Sequence, residues 1–177
     1  MHRDWNEFLI RFRQSAKGVG FSLDQAKGLA AAFGEMSENA VLHADSTSGV
    51  LIGYEATDGK TVCCIVDAGI GVLESLRTHS SYQHLDAHKD AIRTAIRRGE
   101  SRFGPSTGSG SGFHQVFKSL VAMWGTLRFR SGEGCVAMDG RDFDSDRGEE
   151  SYVVFRPGFQ VTICCRTSDA DENFAVI

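Results

Sequence analysis

VLIGYEATDGKTVCCIVDAGIG, residues 50–71, holds two apolar runs separated by a short polar loop. The runs Val50–Ala56 and Thr61–Asp67 are rich in β-branched residues, and the loop TDGK carries an Asp-Gly pair, so the segment reads as a β-hairpin. Asp67 ends the second run, and Gly69 and Gly71 follow at alternate positions. An aspartate at the end of a strand, with two glycines after it, can aim its carboxylate into a pocket where backbone approaches a flat ligand. The same residues also build ordinary tight turns, and the local sequence admits both readings.

Upstream of the hairpin, Ser22 is a good N-cap for LDQAKGLAAAFGEMSENAVLHA. In that segment Leu23, Ala26, Leu29, Ala30, Phe33, Met36, Ala40 and Val41 keep a helical period, which predicts a long central helix through Ala44. Glu35, Asn39 and His43 recur every four residues and share one face of it. Such a row is the ordinary look of a solvated helix face. A carboxylate beside an amide oxygen also suits a magnesium ion and an attacking water, because Mg²⁺ takes oxygen ligands and retains several waters. Further upstream, Trp5, Phe8, Leu9 and Phe12 predict a short amphipathic helix from Trp5 to Lys17 that packs against the body.

Downstream, Val72–Thr107 is polar, contains His79, His84 and His88, and carries one clear helix at DAHKDAIRTAIRRGE, with Ala91, Ile92, Ala95 and Ile96 on one stripe. It reads as a long excursion from the fold. His84 and His88 stand four apart, as zinc-binding helical histidines do, but no third ligand lies at suitable spacing. TGSGSGF, residues 107–113, then places Gly108, Gly110 and Gly112 directly before a predicted helix from Phe113 to Trp124. Alternate glycines there let backbone N–H groups converge on an anion at a helix N-terminus, although a Gly/Ser linker has the same composition. Apolar structure resumes at once with Phe113, which argues against a linker.

The rest reads as strands TLRFRS and CVAMD around GEG, an acidic loop GRDFDSDRGEE, and strands YVVFRP and FQVTICCR before a polar tail. About six strands in adjacent hairpins, mixed with helices, predict an α+β protein: a two-layer α/β sandwich with helices on one face of a mixed, mainly antiparallel sheet.

With 177 residues, 41% of them hydrophobic, the chain suits one globular domain. Its net charge of −4 and scattered basic residues give nucleic acid no electrostatic footprint, so no nucleic-acid partner is expected. The five cysteines include two vicinal pairs, Cys63/Cys64 and Cys164/Cys165, inside strand-like runs. Successive strand residues point to opposite faces, so these pairs make poor disulfides and poor metal clamps. Reduced thiols, no apolar run near the ~20 residues of a membrane span, and no signal-like apolar segment lead to the expectation of a soluble, cytoplasmic protein with no membrane partner.

In order and spacing, EMSEN on a helix, DAGIG after a strand and GSGSGF before a helix resemble the three boxes of the GHKL superfamily of histidine kinase-like ATPases. The resemblance covers roughly Ser22–Arg166 and implies the Bergerat fold, with residues 1–21 an N-terminal helix, 22–166 the ATP-binding domain, 72–107 its lid and 167–177 a tail. It implies Asn39 as the Mg²⁺ ligand and Glu35 as the catalytic carboxylate. Asp67 would accept from the adenine amino group, with Gly69 and Gly71 lining the base pocket. Gly108, Gly110, Gly112 and Phe113 would form the phosphate loop, with Arg102 the nearest cation.

The form ENAVLHA is similar to that of anti-sigma-factor serine kinases, and the arrangement from GVLESL through GESRFG resembles small stand-alone bacterial ATP-binding proteins. One departure concerns the Gly-Thr that many members carry before the last strand. Here Gly158 is followed by Phe159, which leaves Thr162 as the candidate hydroxyl. The short stretch ahead of the domain holds no paired helices with a phospho-acceptor histidine, so a stand-alone module is expected rather than a complete sensor kinase. The implied function is a Mg-ATP-binding kinase or slow ATPase acting on a regulatory protein partner. The alternative is a nucleotide-gated interaction module without significant catalysis. ATP or ADP, Mg²⁺, a protein partner and a homodimer are the associations this reading admits.

Overall fold

Asp58 and Gly59 have φ of 46° and 72°, the two successive positive values of a type I′ turn, and they join β1 (Val50–Thr57) to β2 (Lys60–Asp67) with Thr57 opposite Lys60. This hairpin belongs to a computed structural model of the chain that describes residues 3–43, 49–96, 123, 125–139 and 149–167. Two further strands, β3 (Thr126–Asp139) and β4 (Glu149–Arg166), complete a sheet of order β1-β2-β4-β3 in which every pairing is antiparallel. The architecture is α+β, a two-layer sandwich of helices on a sheet, as the sequence predicts.

The strand count differs from the sequence reading, because GEG and Pro157-Gly158 do not end strands. A Cβ on Gly134 would stand 2.7 Å from the Lys89 backbone nitrogen, and one on Gly132 would stand 2.3 Å from His88 Nδ1. These glycines admit the start of α4 (His88–Ile96) against the strand; they do not turn the chain. The β3–β4 register shifts there: Ser131 faces Phe159, Gly132 faces Arg156 and Gly134 faces Tyr152, so β4 carries extra residues at each step.

Strand alternation divides the sheet into two faces. On β2, Thr61, Cys63, Ile65 and Asp67 are buried while the residues between them are half-buried. Val161, Ile163 and Cys165 of β4 and Leu127, Phe129 and Ser131 of β3 continue the buried face. The vicinal cysteines split accordingly, with Cys63 and Cys165 inside and Cys64 and Cys164 on the half-buried face, and all five cysteines are free thiols.

Helices α1 (Arg3–Gly18) and α2 (Leu23–His43) cover this face. Ser22 and Gln25 form a reciprocal cap at the start of α2: the Ser22 N–H donates to Gln25 Oε1, and the Gln25 N–H donates to Ser22 Oγ. Ala26, Leu29, Phe33, Met36 and Ala40 are buried, whereas Leu23 and Val41 are exposed, so the apolar stripe is narrower than the sequence period. Helix α1 packs on the body as expected. Its Phe8 and Phe12 meet Phe33 of α2 and Tyr54 of β1 at ring-centroid distances of 4.9 to 5.9 Å.

After β2 the chain forms α3 (Gly71–Arg77), a 3₁₀ turn at Ser80–Tyr82 and α4. Leu73, Leu76, Tyr82, Leu85 and Ala91 make a second apolar cluster, and Ile92 and Ile96 enter the main core. The segment from Val72 to Ile96 is thus packed structure, more than the loose excursion that its polarity suggests. Among the described residues no helix is long and apolar enough to cross a membrane.

Candidate functional site

Asp67 lies at the end of β2 on the buried face of the sheet, with 5% of its surface exposed. Its Oδ1 accepts the Gly69 N–H at 2.7 Å, and the Phe159 N–H of β4 also donates to the carboxyl. Oδ2 is buried and accepts no hydrogen bond. Burial raises the pKa of this carboxyl above its ordinary value, and the two N–H donors oppose the shift without cancelling it.

The turn after Asp67 is fastened to both neighbouring strands. Ser131 Oγ of β3 donates to the Gly158 carbonyl at 2.9 Å and accepts the Val72 N–H at 2.9 Å, so one buried hydroxyl ties α3, β3 and β4 together. Gly158 has φ of 73°, and a Cβ on it would stand 2.2 Å from the Asp67 carbonyl oxygen and 2.6 Å from Oδ1. Gly71 is equally confined, since a Cβ there would meet Ser131 Oγ at 2.9 Å. Asp67, Gly69 and Gly71 are therefore brought together as one tight turn whose polar interior is the aspartate. Sequence reasoning did not single out Ser131. The strand break expected between YVVFRP and FQVTICCR carries no sign of the Gly158 contact with Asp67.

Glu35 and Asn39 sit one turn apart on α2, both half-buried, beside the fully packed Phe33, Met36 and Ala40. Ser37, between them in sequence, turns inward and donates to the Phe33 carbonyl at 2.7 Å. His43 is the last residue of α2. Arg102, Gly108, Gly110, Gly112 and Phe113 lie outside the described residues, as does most of the helix expected after them.

Two expectations need correction. Thr162 pairs with Cys64, on the half-buried face, whereas Asp67 shares the other face with Cys63 and Ile65; the Thr162 hydroxyl cannot stand in beside the Asp67 carboxylate. His84 precedes α4 and shares no helical turn with His88. His79 Nδ1 accepts the Ser81 N–H, capping the 3₁₀ turn, and His88 lies against Gly132. His79 and His88 thus serve separate local contacts, and His84 is exposed.

A cleft of about 360 Å³ opens beside the Asp67 turn, between α3 and β4, walled by Ile70, Leu73, His88, Phe155 and Pro157. At its rim Arg77 bridges Glu74 and Asp86, both at 3.1 Å, and donates to the Leu85 carbonyl. Comparison with known proteins adds no assignment: no family model and no curated protein matches the chain.

Proposed function

We propose that this chain is a Mg-ATP-binding module of the histidine kinase-like type, working in the cytoplasm as a regulatory kinase or slow ATPase on a protein partner. The observation that carries the reading is Asp67. One carboxylate oxygen is fixed by backbone N–H groups, and the other is buried with no donor. A buried acceptor without a partner costs free energy, and an amino group on a flat base would satisfy it.

On this reading Asp67 selects the base, and the close-packed turn at Gly69 and Gly71 shapes the floor on which it lies. ATP supplies a transferable phosphoryl group. Asn39 would offer Mg²⁺ a side-chain oxygen, a hard donor of the kind this ion takes. Glu35, one turn away on the same helix, is the carboxylate able to orient or deprotonate an attacking hydroxyl. The free thiols fit a reducing compartment.

Calorimetric titration with ATP and ADP, with and without Mg²⁺, tests the assignment. Wild type should bind at one site, and Asp67→Asn should weaken binding about 10- to 100-fold, the worth of a hydrogen bond to a charged group. Equal affinity in the two proteins would remove the basis of the reading. Glu35→Ala should abolish turnover and leave affinity within about twofold, since that carboxylate is assigned to chemistry and not to binding.

A further inference from the structure

We propose that the first half of β4 is a self-docking edge, through which two copies of this chain pair antiparallel about a two-fold axis at Val153. The inference is independent of the nucleotide reading. Strand β2 pairs with β4 only from Gln160 to Arg166. Residues 149–152 and 156 pair with β3, Val153–Phe155 bulge between them, and among the described residues no strand lies on the other side of the segment. That edge presents backbone N–H and C=O groups as a template for another strand.

The side chains along it are apolar and open to solvent. Tyr152 is 67% exposed, Val154 84% and Phe155 57%, with half-buried Val153 between them and the Phe155 ring 5.8 Å from that of His88, a cluster of exposed apolar side chains of the kind that marks an interface. The register shift opposite Gly132–Gly134 gives β4 four steps for two of β3, which swings Val154 and Phe155 outward. The segment is also held in place before any partner arrives. The Arg130 guanidinium donates to the Val154 carbonyl, and the Lys89 ammonium lies 5.2 Å from the Tyr152 ring centroid. A preordered edge loses less entropy on docking.

The charge pattern selects a second copy as the occupant. EESYVVFR is acidic at its start, apolar in its middle and basic at its end. A parallel neighbour would set like charges side by side, whereas antiparallel pairing brings Glu149–Glu150 against the partner's Arg156, twice by symmetry. With Val153 on the axis, Tyr152 faces the partner's Val154 and Ser151 faces the partner's Phe155. A uniformly basic or acidic peptide would match only one end of the segment.

Sedimentation velocity on the full chain, up to about 100 μM to cover weak dissociation constants, should show a species of twice the 19.3 kDa chain mass. Val154→Lys should be monomeric throughout, with the same melting temperature as wild type at concentrations where both are monomeric, as expected for so exposed a site. Arg156→Glu should dissociate the dimer, and Glu150→Arg combined with Arg156→Glu should restore it. Val153→Cys should form an intermolecular disulfide under mild oxidation where wild type does not, because directly opposed antiparallel residues lie about 4.5–5.5 Å apart at Cα. A chain monomeric at every concentration, or a dimer indifferent to Val154→Lys and to the charge swap, would overturn the proposal.

Discussion

The two halves of β4 have opposite surroundings. From Phe159 to Arg166 the strand runs between β2 and β3 and contributes Val161, Ile163 and Cys165 to the core. From Glu149 to Pro157 its strand neighbour among the described residues is β3, and most of the side chains described there are exposed. YVVF is more apolar than QVTI yet is the more exposed of the two, so burial here is decided by what lies on the other side of the strand. The change of environment falls at Gly158, the residue that closes over Asp67.

The comparison breaks most severely at that junction. Gly158→Ala forces a side chain into left-handed backbone and against the Asp67 carbonyl, so a loss of about 3 kcal/mol or more is expected in urea denaturation. A loss below ~1 kcal/mol would mean that β4 can pull away from the turn easily. Next comes a matched pair on the two halves. Val161→Ala, at 0% exposure, should cost about 2 kcal/mol, and Val154→Ala, at 84%, should stay within ~0.5 kcal/mol in the monomer. Equal costs would contradict the division of the strand.

The smallest effect concerns pH. Burial raises the Asp67 pKa in the folded state, so the native protein binds the proton more tightly than the unfolded chain does. The stabilisation from protonation is complete below the unfolded carboxyl value of about 3.9 and is lost as pH rises through the folded value. Asp67→Asn cannot titrate. The stability of wild type relative to Asp67→Asn should therefore increase as pH falls from 7 to about 4, read from denaturation midpoints in parallel series. A difference that stays flat over this range would show that the carboxyl is better solvated than its burial indicates.

Much of this was legible in the chain because local chemistry and tertiary structure agree. Asp58-Gly59 demands a two-residue turn whatever surrounds it, and Ser22 with Gln25 caps a helix from within a single turn. Phe8 and Phe12 lie on a helical stripe that any core would receive. Where reading failed, a glycine answered a distant neighbour. Gly132 and Gly134 are small because α4 passes close, and Gly158 because Asp67 does, and neither neighbour can be inferred from nearby residues. Seven-residue α3 is too short for periodicity to register, and Ser131 has no local signature at all. Asp67 was identifiable as a candidate from DAGIG, but its unsatisfied oxygen emerges only once β4 is laid across it.

Ser131 carries a consequence for motion. Its hydroxyl holds the Val72 amide, while the Asp67 carboxyl holds the amide of nearby Gly69 and that of Phe159, which is far away in sequence on β4. They should exchange hydrogen with solvent as one cooperative unit, opening together when the turn lifts from β3 and β4. Ser131→Ala would then quicken exchange at all three amides and leave those of α1 at their native rate, making a single buried hydroxyl the latch whose release time sets how often the interior of the turn meets water.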